Sequence, residues 1–212
     1  SQAKKTILLV DDDSIFLKMQ EILIKRNGYE TITAFSGEQA VSIAREGRRI
    51  DLILMDIDLG RGMDGTEAAE LIIKERDIPV LFLSSHSEPE IVEKTEKITS
   101  YGYVVKNSAE TVLMASIKMA FKLYNAHRCL KERETVLLES KNLFLEFMKY
   151  LPGFAYIKDP ERNLLFVNEN LANSFGIPAE EWIGKKDEEI WPGEFCEKIK
   201  VTDEQVLSTR NP

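Results

Sequence analysis

Three consecutive acids, Asp11, Asp12 and Asp13, and three later residues, Asp56, Ser84 and Lys106, are the side chains whose types could do chemistry together. Asp11 follows the apolar run ILLV, Asp56 follows LILM, Ser84 follows PVLFL and Lys106 follows YVV. Clustered carboxylates repel one another and need a divalent cation to neutralise them. Mg²⁺ suits such a site, because it prefers oxygen ligands, keeps several waters and binds one or two carboxylates plus phosphate oxygens. Asp56 is the candidate nucleophile, a carboxylate able to form an acyl phosphate. Catalysis of that transfer comes from positioning and from neutralising charge on the equatorial oxygens, here by Mg²⁺ and Lys106. The Ser84 hydroxyl can donate a hydrogen bond to the arriving group. Taken singly, each residue has a plainer reading. An acidic triplet at a strand end is more often a cap or a solvated turn, and lone serines and lysines there are usually surface. Their shared place after successive strands makes the pattern.

Those strands belong to a repeating plan. Ile7 to Val10 is continuously apolar, as in a strand buried on both faces. Ile15, Met19, Ile22 and Leu23 then recur at helical spacing until Asn27-Gly28. Glu30 to Ala34, Asp51 to Met55, Pro79 to Leu83 and Tyr103 to Val105 predict four more strands. Helices are expected from Ser36 to Arg45, from Thr66 to Lys74, from about Glu88 to Lys97 and from Ala109 onward. Such alternation predicts an α/β fold: a five-stranded, parallel, doubly wound (flavodoxin-like) sheet with helices on both faces. A sheet of that kind carries its site at the carboxyl ends of the strands.

From Ala109 to about Tyr150 there is no proline or glycine, so the last helix runs on, with a break expected near Asn125-Ala126-His127. Leu123, Leu130, Leu137, Phe144 and Leu151 fall at seven-residue spacing, like one seam of a coiled coil. The companion seam carries His127, Glu134 and Lys141. A helix packed on its own domain and a dimerising signalling helix are both open readings. After Leu151-Pro152-Gly153, two strands, Ala155 to Lys158 and Leu164 to Val167, flank a turn at Asp159-Pro160. Helical pieces follow at Glu169 to Phe175, Ala179 to Ile183 and Thr202 to Leu207. The expected division is residues 1–124, a helical linker 125–150, and a partial α+β domain 151–212 that reads as cut short.

A formal charge of −8 over 212 residues argues against nucleic acid as the main partner. No apolar run approaches a membrane span, and no signal-peptide core is visible. Cys129 and Cys196 lie far apart in no metal-ligand spacing, which suits a reducing cytoplasm.

With these residues in view, residues 5 to about 124 resemble a response-regulator receiver domain, through VDDDS, LILMDID, PVLFLSS and YGYVVK. The resemblance implies that Asp11 and Asp12 are the metal-binding acidic pair and Asp56 the phosphoacceptor. It also implies a metal-ligating backbone carbonyl at Asp58, the conserved hydroxyl at Ser84, the conserved lysine at Lys106 and the aromatic switch at Tyr103. In the family, phosphorylation remodels the face made by the fourth helix, the fifth strand and the fifth helix. Asp13 has no role there and is expected to cap the first helix. Two departures stand out. Asn107 replaces the proline that often follows the lysine, and the loop IDLGRGMDG lacks a proline and is one residue longer. Gly60 and Gly62 let that loop bend differently.

Residues 146–212 resemble the N-terminal half of a PAS sensor domain, through LFLEFMKYLPG and AYIKDPERNLLFVNENLANSFGIPAEEWIGKKDEEIW. That resemblance implies three further strands after Pro212. No histidine follows His127, so no histidine is available there to ligate a haem, and the residues name no PAS ligand. Cys196 reads as inert, and Trp182 and Trp191 as core. His127 is followed by Arg128 rather than an acid, His86 reads as a solvated loop residue, and no nucleotide-binding glycine box is present, so no kinase is expected within these residues.

The function expected is two-component phosphorelay signalling. A histidine kinase or phosphotransfer protein phosphorylates Asp56, and the state passes through the helix, with a homodimer through that helix as one reading, to the PAS region. The alternative is the regulatory part of a larger enzyme, a hybrid histidine kinase or a cyclic-dinucleotide synthase. A third reading is a scaffold that is never phosphorylated.

Overall fold

The computed structural model describes residues 3–85, 98, 101–191 and 193–209. The chain divides into two compact units, Ser1–Lys131 and Glu132–Pro212. The first is built on five strands: β1 (Thr6–Val10), β2 (Glu30–Ala34), β3 (Leu52–Asp56), β4 (Val80–Ser84) and β5 (Tyr103–Val105). They form one parallel sheet in the order β2-β1-β3-β4-β5. All five residues of β3 and of β4 are buried, because both faces of a central parallel strand are covered by helices.

Three helices, α1 (Ser14–Arg26), α2 (Gly37–Arg45) and α3 (Gly65–Glu75), are closed at their starts by Asp13, Ser36 and Asp64, each of which accepts backbone N–H bonds. Asp13 therefore caps α1, as its place in the sequence led one to expect. The helix expected near Glu88 to Lys97, and His86, lie outside the described residues. One apolar cluster packs α2 and α3 on one face of the sheet through Ala40, Val41, Ala68 and Ile72. The other packs α1 and the start of α4 (Glu110–Tyr150) on the opposite face through Leu17, Ile24, Leu113 and Ile117.

The break expected near Asn125 to His127 is absent: α4 is helical throughout. The reason lies in its packing. Tyr124 donates its hydroxyl to the Asp77 carbonyl at 2.7 Å, and Tyr101 lies edge-on to Tyr124 and against His127, both with centroids 5.7 Å away. Tertiary contacts thus hold the turn that local propensity leaves weak.

The second unit contains an antiparallel pair, β6 (Tyr156–Lys158) and β7 (Leu164–Val167). Its turn is closed by Asp159, whose carboxylate accepts from the Asn163 backbone N–H at 2.7 Å. Next come α5 (Glu169–Phe175), a short 3₁₀ turn (Ala179–Glu181), α6 (Asp187–Ile190) and α7 (Gly193–Thr209). The last helix is longer than the Thr202 to Leu207 expected, and the helical piece expected from Ala179 to Ile183 is a 3₁₀ turn that ends at Glu181. Trp182 and Trp191 meet edge-to-face at 5.1 Å in a core with Leu164, Val167 and Cys196, so the two tryptophans do fill a core.

Candidate functional site

The carboxyl ends of β1, β3, β4 and β5 bring the expected residues to one edge of the sheet. In-register pairing sets Asp56 opposite Leu83 and Ser84 opposite Val105, so Asp56, Ser84 and Lys106 leave their strands at nearly one level. Lys106 is fixed further by its backbone N–H, which donates to the Ser84 carbonyl at 2.8 Å. Asp11 leaves β1 with its N–H on the Ala34 carbonyl, and its own carboxylate accepts from the Asp13 N–H at 2.9 Å.

The result is a compact charged cluster. Carboxylate oxygens of Asp11, Asp12 and Asp56 lie within 4.8 Å of one another, with Asp11 and Asp56 buried and Asp12 exposed. The Lys106 ammonium sits 2.7 Å from Asp11 Oδ2 and 2.7 Å from Asp56 Oδ2, over the ring of Phe16 at 4.8 Å. Three carboxylates against one ammonium leave a formal charge of −2. That excess marks Asp56. Burial pushes its carboxyl up to about 6, and Asp11 adds to the rise, while the Lys106 bond and charge and the Asp58 N–H oppose it. Burial also opposes the Lys106 charge, but its contacts with the two carboxylates prevail and hold its pKa above the ordinary lysine value. The two shifts agree once the asymmetry is seen. The lysine faces two anions, whereas Asp56 faces one cation and another anion in a dry setting.

Do these residues fit a divalent cation? Asp11 Oδ2 is buried and makes no hydrogen bond, although Lys106 is its ion-pair partner. That buried oxygen converging with two more carboxylates is an all-oxygen donor set of the kind hard cations take. The fit is good. Asp58 lies on the loop beyond Asp56, with its N–H 3.4 Å from Asp56 Oδ1 and its side chain exposed. Ser84 is fully buried, and Tyr103 is half-buried against the cluster that contains Phe82. The Lys106–Asn107 peptide is trans, as are all peptides among the described residues.

Several residues of the site escape a reading of the sequence. Phe16, under the Lys106 ammonium, looks like any apolar residue of α1. Gly65 starts α3 so close to β3 that an added Cβ would stand 1.8 Å from the Asp56 carbonyl oxygen. Glu38 accepts a bond from the Met63 N–H at 2.8 Å, across a separation of 25 residues that no local signal announces.

Comparison with known proteins adds a family. Residues 7–118, just over half the chain, match the response regulator receiver domain, and residues 149–212 match the PAS fold. The two-component response regulator ARR10 of Arabidopsis thaliana is 36% identical over 101 residues, which cover 47% of this chain and 18% of that protein. The heme response regulator HssR of Staphylococcus saprophyticus is 32% identical over 122 residues, 58% of this chain and 54% of that one. The match thus spans well under two thirds of these relatives' own length. Among solved structures, the N-terminal domain of a response regulator/sensory box/GGDEF three-domain protein from Carboxydothermus hydrogenoformans is 43% identical, with a TM-score of 0.55. That match covers 58% of this chain and 98% of that domain.

Proposed function

We propose a phosphorelay role from one premise: the chain belongs to the response regulator receiver family. Asp56 is the phosphoacceptor. Its carboxylate attacks the phosphorus of a phosphohistidine or of a small acyl phosphate. A new O–P bond forms, the donor's N–P or O–P bond breaks, and the leaving group departs with the electron pair. The observation that carries this reading is the Asp56 carboxylate 2.7 Å from the Lys106 ammonium, with the Asp11 and Asp12 oxygens converging beside it. With its carboxyl near 6, Asp56 is mostly anionic at neutral pH and so nucleophilic.

Asp11, Asp12, Asp56 and the Asp58 backbone carbonyl are the residues that would hold Mg²⁺. Bound there, Mg²⁺ neutralises carboxylate and phosphoryl charge. Lys106 shifts from pairing carboxylates to pairing the new phosphoryl oxygens, and Ser84 turns its hydroxyl to donate to them. Movement of Ser84 frees space beside β5 for Tyr103 to turn further inward, which carries the change to the start of α4. The donor is a histidine kinase or a phosphotransfer protein. Ile15, Met19 and Ile22 form an exposed apolar stripe on α1, suited to a helical partner presenting a phosphohistidine. The exposed Leu130 and Leu137 of α4 support a homodimer as the form in which the signal leaves the receiver.

A second reading places the chain within a larger enzyme, either a hybrid histidine kinase or a cyclic-dinucleotide synthase. It is supported by the receiver/sensory box/GGDEF protein whose first domain is 43% identical. No helix among the described residues is long and apolar enough to cross a membrane. The free Cys129 and Cys196 suit a reducing cytoplasm.

The test is incubation with acetyl phosphate and Mg²⁺, followed by intact-mass analysis. One phosphoryl group, labile to hydroxylamine and absent in Asp56→Asn, is expected. An unmodified wild-type chain overturns the reading.

A further inference from the structure

The far side of the loop between β3 and α3 is held on α2 at Met63. The Met63 N–H donates to Glu38 Oε1 at 2.8 Å, and a Cβ on Gly37 would stand 2.8 Å from the Met63 carbonyl oxygen and 3.2 Å from the Met63 Cβ. Met63 is thus seated on the first turn of α2 by its N–H, its carbonyl and its side chain. Glu38 itself is well placed for this. It lies in the first turn of a helix capped by Ser36, and its bond from Met63 is the foremost of several that hold its carboxyl below the usual range. Between the mooring and the site the loop makes two left-handed turns, at Gly60 (φ +69°) and Gly62 (φ +106°). Each glycine leaves room for a carboxylate. A Cβ on Gly62 would lie 2.6 Å from Glu38 Oε1, and one on Gly60 would lie 2.7 Å from Asp12 Oδ2.

Asp12 is the exposed member of the acidic cluster, and the backbone at Gly60 is what its carboxylate packs against. Only Arg61 and Gly62 separate that backbone from Met63. Ile57 and Leu59, buried in the sheet core, hold the loop before Gly60, so release of Met63 would loosen the wall beside Asp12 from its other side. We infer that Glu38 is a positioning residue: by holding Met63, it sets the Gly60 backbone against which Asp12 is aligned for a divalent cation. This rests on the proposal that the acidic cluster binds Mg²⁺. Glu38 touches no reacting atom and acts only through the loop.

The test is Mg²⁺ binding by calorimetry with no phosphodonor present, on the wild-type chain, Glu38→Ala and Glu38→Gln. Glutamine keeps an acceptor oxygen for the Met63 N–H and removes the charge. Glu38→Ala should bind Mg²⁺ about five-fold more weakly, as expected for the loss of one such bond. Glu38→Gln should bind within about two-fold of the wild type. Equal affinity in Glu38→Ala and wild type overturns the inference. Equal weakening in both variants overturns it too, because a charge rather than a mooring would then be at work. Glu38 is exposed, so both variants should fold, and a single cooperative thermal transition in each establishes that they have. A wild-type chain that binds no Mg²⁺ refutes the metal site itself, a result distinct from either of these.

Discussion

Asp56 illustrates how a site can be stored at the expense of stability. Its carboxyl rises from 3.8 to about 6 because burial and Asp11 outweigh Lys106. A carboxyl raised in the folded state binds its proton more tightly there than in the unfolded chain. Stability is therefore greatest when Asp56 is protonated, falls as pH climbs from about 4 to 6, and stays lower above that. A shift of this size corresponds to about 2 to 3 kcal/mol. In EDTA, Asp56→Asn should accordingly unfold at higher urea than wild type at pH 7.5, with the gap closing toward pH 4. An identical pH dependence in the two chains would mean that Asp56 is not the strained group. The same imbalance, two buried carboxylates sharing one lysine, is what a divalent cation or a phosphoryl-bound cation would relieve.

At the scale of elements, α4 is the one whose surface calls for explanation. Of the residues at seven-residue spacing, Leu130 and Leu137 are 56% and 71% exposed. Phe144 is partly engaged, meeting Phe166 of β7 edge-on at 5.5 Å. The apolar seam is thus divided: its end packs on the second unit's own strand, and its middle faces outward. If the middle joins a second copy, Leu130→Lys and Leu137→Lys together should leave the stability of the monomer itself within about 0.5 kcal/mol, since both side chains are exposed in it. They should nevertheless shift the mass seen by light scattering from dimer to monomer. A wild-type chain that is monomeric with and without a beryllofluoride mimic of the phosphate would exclude this use of the helix. The companion positions His127, Glu134 and Lys141 are polar, so such a dimer would be weak and open to regulation.

For the molecule as a whole, the two units have separate cores and separate polar anchors. In the second unit, Asp187 is fully buried and binds Lys158 at 2.7 Å, Arg162 at 3.0 Å and the Trp191 indole at 3.1 Å, while Asp203 of α7 also pairs with Lys158. Burial opposes the Asp187 charge, but these partners prevail and keep its pKa below the usual value. The stability it lends is present above about pH 4 and lost as pH falls through its folded value. Both tryptophans of the chain lie in this unit, so tryptophan fluorescence follows it alone. Asp187→Ala leaves Lys158 and Arg162 without their buried partner and should lower the fluorescence-detected transition by about 3 to 5 kcal/mol. Labelling of Asp56 by acetyl phosphate should stay unchanged. Loss of both together would show that the units do not fold independently.

The sequence by itself determined the parallel α/β sheet and the end of the sheet where chemistry gathers. Continuous apolar runs specify buried strands, and Asp11, Asp56, Ser84 and Lys106 stand at the ends of four of them. It also marked the cap at Asp13, the turn at Asp159 and the change of character after Leu151, because caps and turns depend on neighbours in the chain. Only the tertiary structure decided what depends on distant partners. Tyr101 and the Asp77 carbonyl keep α4 helical where a break was expected, Phe166 claims Phe144 from the apolar seam, and Lys106 spans Asp11 and Asp56. Glu38 reaches Met63 across 25 residues, a contact that no local signal in the sequence announces. The physical reason is the same in each case: hydrogen bonds, ring contacts and ion pairs between residues far apart in sequence leave no periodic trace in it.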